Sequence, residues 1–312
     1  MLDVAGAVAA NGIDARVAAH YGSFNAEQLV LEAGDGFVDL SHRDVLRVAG
    51  PDRLSWLHSI TTQYFTDLPV GRQVTALILS PQGHVEHAFT GIDDGEAFTA
   101  HTEPGAGAAL IGYLERMKFM TRVDITDESA ALAVSWRPVA TDAGVGKFDL
   151  VPREQFAAYA EAAGPACGVW AYDALRIARG EPRFGLDTDH RTIPNEVGWI
   201  DTAVHMDKGC YRGQETVARV HNLGRPPRRL TLLHLDGSEN LLPQVGSELR
   251  AGEKVVGRVG TSARHHELGP IALALVKRNV PLSDELDAGG LPAAQEVIVD
   301  PEIGRHFRPL KG

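Results

Sequence analysis

Leu54, Leu57 and Ile60 recur at the spacing that returns to one face of a helix, which predicts a helix over 52–62. It follows a short strand at 44–49 that Gly50 and Pro51 bring to an end. The period then changes. Residues 74–79 are an apolar run that reads as a buried strand, Ser80-Pro81-Gln82-Gly83 is a turn, and 84–90 returns beside it. A further strand is predicted at 97–101, a helix at 106–117, and strands at 119–125, 131–136 and 148–151. Pro152 stands at a first-turn position and opens a helix to 163, and another helix runs over 170–179 with Gly180 as its left-handed cap. Residues before 44 show no clear period and read as an irregular start. Hairpins mixed with helices, without strict alternation, predict an α+β fold.

Beyond 229 the helical period disappears. Short strands at 230–235, 248–250, 255–261, 270–277 and 296–300, with turns at 251–252 and 287–290, predict a small antiparallel barrel of about 85 residues. The boundary is placed between Gly224 and Pro227. This gives a first region of 1–226, with two α+β parts over 30–130 and 131–226, and a barrel domain of 227–312. At 312 residues the chain exceeds what one hydrophobic core usually serves, which agrees with that division.

Charge narrows the function classes. The net charge is -11, so a broad surface for nucleic acid is not expected, and an anionic ligand must meet a local basic patch. The two cysteines, Cys167 and Cys210, are too few for a disulfide framework and fit a reducing compartment. The apolar start is preceded by Asp3 and the first basic residue is Arg16, the reverse of a signal peptide. No run reaches membrane-spanning length. The expectation is a cytoplasmic protein with no membrane partner, acting as a monomer.

Chemistry concentrates in Lys208-Gly209-Cys210-Tyr211-Arg212-Gly213-Gln214-Glu215. Gly209 and Gly213 free the backbone on either side of the cysteine, and 214–222 has helical character. A helix N-terminus together with Lys208 and Arg212 would favour a thiolate at Cys210. The competing reading is an ordinary buried cysteine, which is how Cys167 is read. From Lys208 to Arg229 six basic residues face one acid, Glu215, so the segment could bind carboxylates or phosphates. It could equally be a solvated helix face and linker. An RNA surface is disfavoured, because only Tyr211 supplies an aromatic ring.

Other motifs are weak. Gly105-Ala106-Gly107 lacks the third glycine of a dinucleotide site. His84-Val85-Glu86-His87 and His265-His266-Glu267 place neighbouring residues on opposite faces of a strand, so they read as surface histidines, and no metal is expected.

The run from Lys208 to Glu215, KGCYxGQE, resembles the diagnostic motif of the YgfZ family, within the GcvT-like (aminomethyltransferase T-protein) superfamily. Asp173-Ala174-Leu175-Arg176-Ile177, Ile193-Pro194-Asn195-Glu196 and Thr216-Val217-Ala218-Arg219 occur in the family's order. Asp39-Leu40-Ser41-His42 and Val48-Ala49-Gly50-Pro51-Asp52 resemble the superfamily's N-terminal block, and Arg228-Arg229 the start of its barrel. The resemblance implies a three-lobed fold, two ferredoxin-like α+β subdomains followed by the barrel, around a channel for tetrahydrofolate or a derivative. It also implies iron-sulfur client or assembly proteins as partners, with indirect effects on tRNA modification.

On that resemblance Cys210 is the reactive group, with Lys208, Arg212 and Gln214 as its supports. Glu196 is the candidate for pterin hydrogen bonding, Arg176 and Tyr211 are further folate contacts, and Arg228 or Arg229 takes the glutamate tail. Two departures stand out. The Asn-Asp pair of T-proteins aligns with Gln63-Tyr64, and their acidic Gly-Glu-Asp-Gly segment aligns with Gly144-Val145-Gly146-Lys147. Both losses argue against aminomethyl transfer, because neither Tyr nor Lys supplies the negative charge a developing iminium needs. A folate-dependent one-carbon transferase and a non-catalytic scaffold for an iron-sulfur client remain the alternatives.

Overall fold

The computed structural model describes residues 1–141, 144–238 and 240–302. The chain forms two compact units, one from Met1–Ala76 and His87–Leu175, the other from Leu77–Glu86 and Arg176 onward.

The first unit begins with a small pair, β1 (Val8–Ala9) and β2 (Ala18–His20), then α1 (Phe24–Glu32) and β3 (Phe37–Asp39). This stretch is ordered structure, where the sequence pattern reads as irregular. The reason lies in the polar residues that α1 buries. Glu27 and Gln28 lie on its inner face while Leu29 is exposed, so the apolar period is broken. Glu27 is satisfied there, because its carboxylate accepts from the Tyr21 amide at 2.8 Å and the Gly168 amide at 2.8 Å.

Next come β4 (Asp44–Ala49), α2 (Arg53–Ile60), β5 (Gln73–Leu79), β6 (Val85–Asp93), β7 (Ala97–Thr102), α3 (Gly107–Lys118) and β8 (Asp124–Asp127). Their strands make a five-stranded sheet in the order β5-β6-β7-β4-β8. Arg53 anchors α2 by a two-point ion pair to Asp93 at 2.7 and 2.8 Å. The strand expected from 119 begins only at Asp124. Phe119 adopts a positive φ of 42° and is 90% exposed, so the apolar pair Phe119-Met120 that suggested a strand lies on the surface.

β9 (Leu132–Thr141), β10 (Gly144–Pro152), α4 (Phe156–Ala162), β11 (Ala166–Cys167) and α5 (Val169–Ala178) complete the succession. A second sheet runs β10-β9-β3-β11. Trp136 and Tyr172 meet edge-on in its core, 5.2 Å between centroids, with Val38, Leu40, Leu175 and Cys167 around them. Burial pushes the Cys167 thiol up to about 12, as expected of a packing cysteine.

In the second unit the turn of the β5–β6 hairpin accompanies α6 (Gln214–Leu223) and six strands. These are β12 (Arg228–Leu235), β13 (Glu248–Ala251), β14 (Lys254–His265), β15 (Gly269–Lys277), β16 (Leu286–Ala288) and β17 (Pro292–Val297). They close antiparallel in the order β12-β15-β14-β13-β16-β17, around Leu233, Leu249, Val259, Ala274 and Val276. The α+β fold with a closed antiparallel barrel is therefore as the pattern predicts. Two strands differ. β16 lies where a turn was expected, since Leu286 and Ala288 alternate inward ahead of Gly289 and Gly290. β17 starts earlier than 296, because Val297 faces outward and Ala293 fills the barrel.

Asp187 ties the segment after α5 to this barrel. Its buried carboxylate accepts from Arg176 Nη1 at 3.2 Å, the Arg183 amide at 2.8 Å, and the Thr261 amide and hydroxyl at 2.6 and 2.8 Å. Gly260 permits the approach, because a Cβ there would lie 2.2 Å from Asp187 Oδ1. Asp187→Ala removes the carboxylate that the buried Arg176 guanidinium, the Arg183 amide and Thr261 all donate to. It should cost about 3–5 kcal/mol, read as a lowered urea midpoint for the barrel-containing unit.

Candidate functional site

The Lys208 to Gln214 loop is shaped by glycine contacts on one side and an amide-carboxamide exchange on the other. Gly213 has φ 81°, and a Cβ on it would sit 2.4 Å from the Ser80 carbonyl oxygen and 2.9 Å from Gly83 Cα. Gly83, also at positive φ, would put its Cβ 2.8 Å from Thr216 Cβ. The hairpin turn thus lies backbone against backbone on the start of α6. The turn is itself pinned, since Ser80 Oγ accepts from the amides of Gln82 and His84 at 3.2 and 3.1 Å. The Val85 amide donates to the Thr192 carbonyl at 2.8 Å. Gln214 folds back on the loop, its Oε1 accepting from the Tyr211 amide at 3.0 Å while its own amide donates to the Tyr211 carbonyl at 3.2 Å. The hairpin turn was not a sequence candidate. Gly83 was the available signal, but a glycine in a four-residue turn already has a local explanation.

Cys210 is exposed at the head of α6. The two cations beside it behave differently. Arg212 Nη1 donates to Glu86 Oε2 at 3.0 Å, which turns its charge toward the hairpin. Lys208 is 5% exposed, and its ammonium sits 5.1 Å from the centroid of the Tyr211 ring. Burial pulls the Lys208 amine down to about 8, opposed by the negative charge that Cys210 can carry. Burial alone pushes the Tyr211 phenol up to about 12. The loop therefore presents an exposed thiol next to an amine that loses its proton unusually easily.

A second cluster surrounds Arg228. One edge of its guanidinium grips Glu196, Nε to Oε1 at 2.9 Å and Nη2 to Oε2 at 2.8 Å. The other faces Asp189, Nη1 to Oδ2 at 2.6 Å and Nη2 to Oδ1 at 3.1 Å. Burial would raise the Asp189 carboxyl, but the Arg228 hydrogen bonds outweigh it and hold the group well below the usual carboxylate range. Glu196 also accepts from the Ile193 amide at 3.1 Å. Asn195 beside it is buried with its Oδ1 unpartnered.

The remaining candidates separate. Arg176 is buried in its pair with Asp187, away from any surface. Arg229 is wholly buried in the barrel, its Nη2 donating to the Val280 carbonyl and Gln295 Oε1, both at 3.0 Å. The expected patch of six cations is thus dispersed, and Arg219 and Arg225 are the exposed members without an ion pair among the described residues.

Gln63 Nε2 donates to the Thr75 carbonyl at 3.0 Å and Tyr64 donates to Asp67 Oδ2 at 3.2 Å, so that turn is held by neutral groups with a carboxylate three residues on. Of the substituted acidic segment, Lys147 pairs with Asp149 at 3.3 Å. The histidines are less exposed than expected. His87 packs on Tyr113, with burial and then Arg116 pulling it down to about 4, and His265 is buried with Nδ1 accepting from the Glu267 and Leu268 amides. No helix among the described residues is long and apolar enough to cross a membrane.

No family model matches the chain. Among curated proteins it is 25% identical to a chloroplastic protein of Arabidopsis thaliana classed as a transferase, over 76% of this chain and 64% of that protein. The chain therefore spans less than two thirds of that relative's length. It is 24% identical to an aminomethyltransferase of Thermotoga sp. (strain RQ2), over 86% of this chain and 85% of the other. Over 81 residues, 25% of each chain, it is 38% identical to the tRNA-modifying protein YgfZ of Buchnera aphidicola subsp. Schizaphis graminum. Among solved structures, the glycine cleavage system aminomethyltransferase T of Bartonella henselae superposes with TM-score 0.78 at 17% identity, covering 97% of this chain and 96% of that one. The fold is that of the GcvT-like aminomethyltransferases.

Two measurements test this account of the loop. Gly209→Ala introduces only the left-handed backbone strain of about 1–2 kcal/mol, since open space surrounds the position. Gly213→Ala adds a clash with the hairpin turn and should lower the unfolding midpoint further and speed proteolysis of the loop. The second is a pH series. Because the folded state lowers the Lys208 amine from its ordinary 10.5 to about 8, the unfolded chain binds the extra proton between those values. Burial of the charged amine therefore weighs against folding below pH 8, and stability is regained as pH rises from about 8 to 10.5. Lys208→Met should lack that gain when its stability difference from the wild type is followed over this window.

Proposed function

We propose that the chain is a tetrahydrofolate-binding accessory protein of the YgfZ kind, which supports iron-sulfur cluster assembly or repair and, through it, tRNA modification. The observation that carries the reading is the Lys208 to Gln214 loop, where a clamped backbone holds an exposed thiol beside a buried amine. The partial similarity to a tRNA-modifying YgfZ protein supports the accessory role. The aminomethyltransferase fold and relatives support a folate ligand.

In this proposal Cys210 is the reacting group, Lys208 its proton partner, and Gln214 the residue that keeps the loop turned. Glu196, wholly enclosed and held in place by Arg228, is given a supporting part behind the folate site. Because Arg228 already meets two carboxylates and Arg229 is enclosed, the glutamate tail is assigned to the exposed Arg219 and Arg225. Arg176 is given a supporting part, through Asp187.

Folate-dependent one-carbon transfer is the second reading, favoured by the aminomethyltransferase relative that matches over most of both chains. Against it stands the neutral Gln63-Tyr64 turn, where a carboxylate would stabilise an iminium. Asp67, held by Tyr64, is the acid nearest in sequence that could take that part.

The test combines binding, transfer and rescue. Calorimetric titration with reduced folates should give saturable heat, and Cys210→Ser should bind folate and fold as the wild type does while failing to restore iron-sulfur enzyme activity in cells lacking the protein. Absence of folate binding, or full rescue by Cys210→Ser, would sink the proposal. Aminomethyl transfer from a lipoyl carrier at the rate of a genuine T-protein would establish the second reading instead.

A further inference from the structure

We infer that the end of the barrel interior around Arg229 is a binding site for a small inorganic anion of the chloride type, enclosed by β12, β17 and the loop that follows β15. The inference goes beyond the functional reading above and does not depend on it.

Strand periodicity sets the place of the site. Arg229 lies in phase with Leu233 and Leu235 along β12, and both of those side chains belong to the barrel core. Its partner across the ladder is Val276 of β15, another core residue. Gln295 is likewise in phase with Ala293, which fills the barrel from β17. Arg229 and Gln295 therefore both point inward. The loop 278–285 covers them, since Gln295 Nε2 donates to the carbonyls of Pro281 and Asp284 at 2.9 and 3.0 Å and Val280 joins the core.

The charge at this place is not neutralised by the chain. Arg229 is 0% exposed, and its Nη2 donates to two neutral acceptors, the Val280 carbonyl and Gln295 Oε1. No carboxylate pairs with it among the described residues, and its Nε and Nη1 have no hydrogen-bond partner. Burial pulls the guanidinium down with no acid opposing, yet an arginine keeps its proton in any protein environment. An isolated buried charge is strongly unfavourable unless a counter-charge and hydrogen-bond acceptors meet it. The same unit supplies those elsewhere. Arg176, equally enclosed, has Asp187, and Arg228, the neighbour of Arg229 in β12, has Asp189 and Glu196. Water would satisfy the free N–H groups and leave the charge, whereas an anion answers both. Enclosure selects a small ion over gluconate or a folate carboxylate, whose attached chain would have to pass through the loop.

The test follows thermal unfolding of the full chain while sodium chloride replaces sodium gluconate at constant ionic strength, which holds general screening fixed. Chloride should raise the midpoint by about 2–4 °C for each tenfold increase above its dissociation constant, because it binds the folded state alone. Arg229→Met, which keeps an unbranched side chain in the barrel without the charge, should melt at the same temperature in both salts. Lys254→Met, at an exposed cation of the same barrel, should keep the response. Should Arg229→Met not fold, bromide soaked into crystals of the wild type decides the matter, with an anomalous peak expected within hydrogen-bonding distance of Arg229 Nε or Nη1. A water at that position, or a chloride response that Arg229→Met retains, would overturn the inference, as would an adventitious ion only, marked by a response confined to molar salt.

Discussion

Two stretches of backbone that touch with no side chain between them, at Gly83 and Gly213, set the geometry on which the candidate site depends. Any Cβ at Gly213 would lie within 2.4 Å of the Ser80 carbonyl oxygen, so the start of α6 can sit where it does only while that position is glycine. The contact fixes the helix N-terminus, and Gln214, the first residue of α6, then holds the Tyr211 backbone through its side chain and its own amide. Tyr211 in turn supplies the ring against which Lys208 is enclosed. A close backbone approach is thereby passed along five residues into an altered proton affinity on an amine.

The same unit shows how a basic segment can lack a continuous basic surface. Most of the cations between Lys208 and Arg229 are taken up by their own surroundings, which leaves Arg219 and Arg225 exposed without an ion pair among the described residues. Arg228 is balanced by two carboxylates, Arg212 by Glu86, and Arg229 by carbonyl groups inside the barrel. The Arg212–Glu86 pair is more than a third exposed on both sides, so its energetic contribution is small and its effect is mainly orientation. The Arg228 cluster is different in kind. Glu196 is completely buried there, and a buried carboxylate is tolerated only while its hydrogen-bond partners remain in place.

Much of this was legible from the residues. The barrel showed in the loss of helical period after 229, and α2, α3 and α6 showed in theirs. The place of Cys210 ahead of a helix start was legible, because Gly209, Gly213 and the helical run from 214 flank it. What could not be read is consistent in kind. α1 was hidden because Glu27 and Gln28 occupy its buried face, satisfied by amides distant in sequence, so composition pointed the wrong way. The pairing of Arg228 with Glu196 joins residues 32 apart, and no local rule announces which of several arginines a buried acid will choose. The depth of Arg229 was equally hidden, since an arginine beside a second arginine reads as surface until the barrel closes over it.

That distinction bears on why the residue before Gly209 is a lysine. A guanidinium keeps its proton in any protein environment and so contributes only charge. An ammonium enclosed by an aromatic ring and its own loop can give up its proton near neutral pH, and burial has moved Lys208 in that direction. Arg212, nearer solvent and drawn to Glu86, keeps a constant charge beside the thiol. One flanking cation is therefore fixed and the other is titratable. A site that only needed to hold a thiolate would be served by two fixed charges, so a lysine rather than an arginine at 208 is what the proposed role of proton partner to Cys210 calls for.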